Sequence, residues 1–100
     1  MPALFIIQAE VSADSAQRAR YREYQARVQP LIEAHGGRFR ASGMGLEVLE
    51  GAHDARRLVV FEFPSMDALR AFWNSPQYAE LKALRAGAAR VNAWAVPAEP

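Results

Sequence analysis

The run Arg57-Leu58-Val59-Val60-Phe61-Glu62-Phe63, closed by Pro64-Ser65, decides the fold. Val59, Phe61 and Phe63 alternate with Leu58, Val60 and Glu62, the period-2 pattern of a strand with two distinct faces. Pro64-Ser65 ends the strand and caps a helix that carries Leu69, Phe72 and Trp73. Asn74-Ser75-Pro76 then restarts a helix, with Ser75 as cap and Pro76 at the first helical position. Tyr78, Leu81, Leu84 and Ala88 form its apolar stripe, and Gly87 weakens its end.

Upstream, Gly51-Ala52-His53-Asp54 reads as a turn. Arg38 to Ser42 reads as another strand, with Phe39 and Ala41 on one face and Arg38 and Arg40 on the other. Gly43-Met44-Gly45 breaks it, and Leu46 to Glu50 can resume pairing beyond the bend. A long helix precedes it. Asp14 with Gln17 has capping-box spacing, and Tyr21, Tyr24, Val28, Leu31, Ile32 and His35 make one stripe. Pro30 is expected to kink this helix or split it, and Gly36-Gly37 ends it. Ala3 to Val11 is the first strand, with Phe5, Ile7, Ala9 and Val11 on one face and Leu4, Ile6, Gln8 and Glu10 on the other. Arg90 to Val96 is the last, its phase ambiguous, and Pro97-Ala98-Glu99-Pro100 is a tail.

The order strand, helix, strand, strand, helix, strand predicts an α+β, ferredoxin-like βαββαβ fold, one domain over residues 1–100. Its antiparallel sheet carries helices on one face only. The face with Phe5, Ile7, Phe39, Val59, Phe61 and Phe63 is the greasier and is assigned to the helices. Leu4, Ile6, Leu58 and Val60 then look the other way, with Gln8, Arg40 and Glu62, joined by Asn92 and Trp94 if the last strand has that phase. At roughly 1.5–3 kcal/mol for each buried aliphatic side chain, covering four is worth on the order of 6–12 kcal/mol. A homodimer packed sheet to sheet is the expected remedy.

Composition narrows the function classes. A hydrophobic share of 51% and a charged share of 23% are those of a globular domain. Twelve cations against eleven anions leave a net charge of +1, so no nucleic-acid footprint is expected. No Cys is present, which removes thiolate chemistry and Cys-based metal sites. His35 and His53 are far apart and lack a third soft ligand, so no metal is expected; His35 reads as a helix-end residue and His53 as a turn residue. The start Met1-Pro2-Ala3-Leu4-Phe5-Ile6-Ile7-Gln8 has no cationic leader, and its apolar run is too short for a span. A cytoplasmic protein without membrane contact is the expectation. No nucleotide fingerprint, phosphate loop or Ser/His/Asp order is found, so no cofactor is expected.

Three stretches together resemble the domain of unknown function 1330 family. They are Tyr21-Arg22-Glu23-Tyr24 with Pro30 and His35-Gly36-Gly37-Arg38-Phe39; Glu47-Val48-Leu49-Glu50-Gly51 with Arg57 to Ser65; and Trp73-Asn74-Ser75-Pro76-Gln77-Tyr78 with Leu81-Lys82 and Arg85. The resemblance spans nearly the whole chain and implies a dimeric α/β barrel. It implies no activity. The wider structural relatives include cofactor-free monooxygenases, haem-degrading enzymes, lactone isomerases and non-enzymatic proteins, so any transfer of function is fold analogy.

Glu62 is the candidate catalytic residue. A carboxylate in mid-sheet, if dry, must be paired or protonated. It reads as an ion pair fixing the dimer, as a ligand or base carboxylate, or as a wet edge position. Arg40 is its expected partner, with Arg85 as the alternative from a helix end. Gln8, Tyr21, Tyr24, Arg40, Arg85 and Asn92 are the candidate ligand-binding residues, although packing accounts for the tyrosines and the helix dipole for Arg85. The expected function is binding of a small organic ligand in the barrel pocket. Conversion without a cofactor, with Glu62 as a base of burial-raised pKa, is the form catalysis would take. The alternative is a non-enzymatic module whose polar sheet residues only close the dimer.

Overall fold

In the computed structural model, residues 1–53 and 57–98 are described. The elements are β1 (Ala3–Val11), α1 (Ser15–Ala34), β2 (Arg38–Ser42), β3 (Arg57–Phe63), α2 (Met66–Trp73), α3 (Pro76–Arg85) and β4 (Ala89–Pro97). All pairings are antiparallel, in the sheet order β2-β3-β1-β4. This is the ferredoxin-like arrangement, with the three helices on one face. No helix of the described residues is long and apolar enough to cross a membrane.

Local chemistry sets the helix ends. Asp14, Ser65 and Ser75 each accept a hydrogen bond from the backbone N–H three residues on. The capping box at Asp14 is half formed, because the Gln17 side chain accepts from Arg20 instead. At the end of α1 the Gly37 N–H donates to Ile32 and the Gly36 N–H to Glu33, a Schellman closure with Gly36 at φ 84°. A Cβ at Gly37 would collide with Ile32 and stand 2.9 Å from the Phe63 ring. Only glycine lets the chain turn this tightly into β2. His35, the C-cap, places Nδ1 3.0 Å from the Leu31 carbonyl.

The core lies between the helices and the covered sheet face. Phe5, Phe61, Phe63 and Phe72 are all under 10% exposed, and Phe5 meets the Phe63 and Phe72 rings edge-on. Tyr78 is wedged between Phe72 and Trp73, each ring centroid 4.8 Å away. The break between α2 and α3 is thereby a packed corner.

Five expectations are corrected. Pro30 does not split α1, which runs for 20 residues with Pro30 on its exposed side, where only one ladder donor is lost. Leu46 to Glu50 form no strand, because a 3-10 turn over Gly43–Gly45 carries the chain off the sheet edge after Ser42 pairs Val59. Phe39 and Ala41 do not share a face. A bulge at Arg40 shifts the register, so Phe39 pairs Phe61 on the covered face while Ala41 pairs Val60 on the open one. Pro97 belongs to β4 opposite Ala3, and the Ala98 N–H donates to Pro2, so the tail is shorter than expected. Arg85 does not reach Glu62, because the sheet stands between them. Glu99, Pro100 and Asp54 of the expected turn lie outside the described residues.

The phase of β4 is settled by its register. Trp94 stands opposite Ile6 and Asn92 opposite Gln8, both on the open face. That face carries Leu4, Ile6, Leu58 and Val60 half-buried, with Trp94 at 47% and Val96 at 43% exposure.

Candidate functional site

The covered face does not pack flush against α1. A cavity of about 240 Å³ remains between them. Its floor is Phe5, Ile7, Ala9, Val59 and Phe61 from β1 and β3, and its roof is Tyr21, Tyr24, Val28 and Ile32 from α1. Gln25, Gln29 and Arg57, all exposed, edge its mouth. Helical geometry explains the roof, since Tyr21, Val28 and Ile32 recur on one stripe and Gln25 and Gln29 flank it. A similar volume lies between α2 and β4 against Trp73 and Ala93. Its polar groups, Arg70 and Asn74, are exposed, and Arg70 is turned toward Asp67 at 3.5 Å.

The Tyr21–Tyr24 end of the first cavity holds the chemistry. The Tyr24 and Tyr78 hydroxyls are 3.0 Å apart, and Arg85 Nη2 donates to the Tyr78 oxygen at 3.4 Å. The Arg85 guanidinium lies 5.6 Å from the Tyr24 ring centroid, a cation–π distance, and Tyr21 packs beside Tyr24 with centroids 5.5 Å apart. Arg20 ties α1 to the end of α3 by donating to the Leu84 carbonyl at 2.7 Å.

Burial raises the pKa of both cavity tyrosines. For Tyr24 the nearby Tyr78 oxygen adds to the effect of burial. For Tyr21, Arg85 and Arg57 oppose it without overcoming it. Both phenols therefore keep their protons at neutral pH. Burial of Arg85 works to lower its pKa, but the Tyr78 hydrogen bond and the Tyr78 and Tyr24 oxygens outweigh it, and the guanidinium stays charged.

The expected site residues fall into two groups separated by the sheet. Tyr21, Tyr24 and Arg85 gather at the cavity end. Gln8, Asn92, Arg40 and Glu62 lie on the open face, where Gln8 stands opposite Asn92 and Arg40 donates to Glu62 at 3.4 Å. The Glu62 side chain is 36% exposed in the single chain, and neither Arg40 nor Glu62 lines the cavity. Tyr78, Arg57, Gln25 and Gln29 were not among the expected site residues. Tyr78 and Arg85 stand seven residues apart, two turns along one helix face, and that spacing was the available signal. Among the described residues no group of three or more His, Asp or Glu side chains is placed to hold a metal.

The fold is shared with solved structures of low identity. A protein of unknown function from Rhodopseudomonas palustris aligns at 21% identity and TM-score 0.73, covering 99% of this chain and 84% of its own. A dimeric ferredoxin-like protein of unknown function from Jannaschia sp. CCS1 aligns at 13% identity and TM-score 0.71, covering 98% of this chain and 100% of its own. SnoaB, a cofactor-independent oxygenase from Streptomyces nogalater, aligns at 14% identity and TM-score 0.65, covering 99% and 94%. Comparison with curated proteins gives no match. At these identities the likeness shows a common fold, and the Jannaschia neighbour is a dimeric ferredoxin-like protein. The sequence itself matches the family model of Domain of unknown function (DUF1330) over residues 2–98, and the chain belongs to that family.

Proposed function

We propose that the protein binds a small, mainly apolar organic molecule in the cavity between α1 and the sheet, and does so as a homodimer closed through the open sheet face. The cavity carries the first half of this reading. It is concave, walled by aliphatic and aromatic side chains, and has a few polar groups gathered at one end, which is how small-molecule sites are built. The fold shared with SnoaB supports it by analogy alone.

The second half rests on surface area. A self-contained protein of 11.1 kDa exposes about 5,700 Å² by the usual size scaling. This chain exposes 6537 Å², spread over a slab only 16 Å in its thinnest direction. The excess, roughly 800 Å², is about one partner's share of a standard interface. Apolar side chains from three strands stand on the open face to supply it. In this reading Gln8, Asn92, Arg40 and Glu62 belong to the space between paired sheets, as the non-enzymatic alternative holds. General-base work by Glu62 would require a second lumen enclosed there.

A thermal-shift panel of small aromatic and polycyclic compounds tests the cavity. A ligand at a hundredfold its Kd stabilises by about 2.7 kcal/mol, enough to raise Tm by several degrees in a chain of this size. Val28→Phe, which fills the roof, should abolish the shift. If no compound moves the wild-type Tm, the ligand reading is lost.

A further inference from the structure

We propose that the ligand of the α1 cavity is an organic acid bound as its anion, held at the Tyr21–Tyr24 end by the phenols and by the charge of Arg85 behind them. This deepens the cavity reading and rests on it.

Arg85 is a cation buried without a counter-charge: it is 9% exposed, and no carboxylate among the described residues forms an ion pair with it. Its Nε is buried with no hydrogen-bond partner among the described residues, and its hydrogen bond to Tyr78 is long at 3.4 Å. A buried charge is ordinarily paired, and a buried donor ordinarily finds an acceptor. The helix dipole explains an arginine in the last turn of α3, but not a buried one. Lys82 occupies the same turn from solvent, stacked 5.0 Å from the Trp73 ring centroid.

The cavity wall lacks the missing charge as well. Among the described residues its lining contains no Asp or Glu, and its charged member is Arg57 at the mouth. Both cations act on this end, since the Tyr21 phenol is pulled toward ionisation by Arg85 and by Arg57. Tyr24 joins the two regions. Its ring lines the cavity, its hydroxyl meets Tyr78, and Arg85 stacks over it. An anion at this end lies against the Tyr21 and Tyr24 side chains, whose phenols hold their protons at neutral pH. Arg85 does not itself line the cavity; from behind the Tyr24 ring it supplies the compensating charge across the distance of one side chain. Hydrogen bonds to an ionised acceptor in such a setting are about twice as strong as neutral ones.

Isothermal titration with 2-naphthoate and with 2-naphthamide, its neutral counterpart, tests the charge directly on the unmodified protein. The expected result is an acid that binds about tenfold or more tighter than the amide. Arg85→Gln should weaken naphthoate by about the same factor while leaving naphthamide within about threefold. Equal affinity of acid and amide for the wild type overturns the anion inference and leaves the cavity reading intact. Binding of neither overturns both. Naphthoate binding that survives Arg85→Gln unchanged also overturns it. Should that variant not fold, the wild-type ratio and Tyr78→Phe decide, the latter being expected to lower the acid-to-amide preference.

Discussion

The two faces of the sheet are made from the same strands and come to opposite ends. In β1, Ala3 and Phe5 are 0% and 4% exposed, while Leu4 and Ile6, which alternate with them, are only half-buried. In β3, Phe61 and Phe63 are buried, while Val60 and Glu62 are not. The aliphatic content of the two faces does not account for the contrast. Three helices cover one face, and none of the described helices covers the other. The candidate site residues divide the same way. The phenols, the buried guanidinium and the cavity are on the covered side. The Arg40–Glu62 pair and the Gln8–Asn92 pair are on the open side, where a partner sheet would meet them.

Paired substitutions break the comparison most sharply. Phe63→Ala empties a fully buried aromatic site and should cost about 3–5 kcal/mol, a large part of the stability of a small domain. Ile6→Glu places a charge on the open face opposite Val60 and Trp94. It should leave the single chain folded and weaken self-association by about 2 kcal/mol or more, a thirtyfold change in Kd. Urea denaturation separates the first variant from the second, and light scattering with dilution separates the second from the wild type. A wild type that scatters as a monomer at micromolar concentration would show that the open face needs no partner.

How far the sequence carries this contrast depends on the kind of information each feature needs. The strand faces were legible because alternation has period 2 and Phe5, Phe61 and Phe63 repeat it without a break. The helix ends were legible because Asp14, Ser65, Ser75 and Gly36-Gly37 act within a few residues of themselves. The bulge was not legible. It inserts one residue at Arg40 and sends Ala41 to the face opposite the one that strict alternation assigns. The joining of Tyr24 to Tyr78 was not legible either, since it links positions 54 apart through the docking of α3 on α1. Glu62 drew attention because a carboxylate in a strand is unusual in one dimension. Arg85 is unusual only in three, where its burial and its missing acceptor become visible.

A smaller effect sharpens the covered side. The phenol of an exposed or unfolded tyrosine titrates near 10.0, and burial moves Tyr21 and Tyr24 above that. Below pH about 9 folded and unfolded chains both hold these protons, and stability does not depend on them. As pH rises further the unfolded chain releases protons that the folded chain still binds, so stability falls. Urea midpoints should therefore drop between about pH 9 and about pH 11, and the drop should be shallower in Tyr24→Phe. At neutral pH the same substitution should cost about 1 kcal/mol, the worth of the lost Tyr78 bond. A wild-type midpoint flat across that range would mean that these phenols are wet.

The smallest effect belongs to the open side and depends on what covers it. Arg40 and Glu62 are 47% and 36% exposed in the single chain and 3.4 Å apart, a surface pair worth about 0.2–1 kcal/mol. A double-mutant cycle with Arg40→Gln and Glu62→Gln measures the coupling between them. Run on the dissociated chain, it should return a value in that range that shrinks in high salt. Run on the assembled protein, where a second sheet excludes water from the pair, it should return a larger coupling that salt barely touches. Equal couplings in the two states would place the pair at a wet rim. The partner sheet would then cover the aliphatic strip of Leu4, Ile6 and Val60 and stop short of the charges.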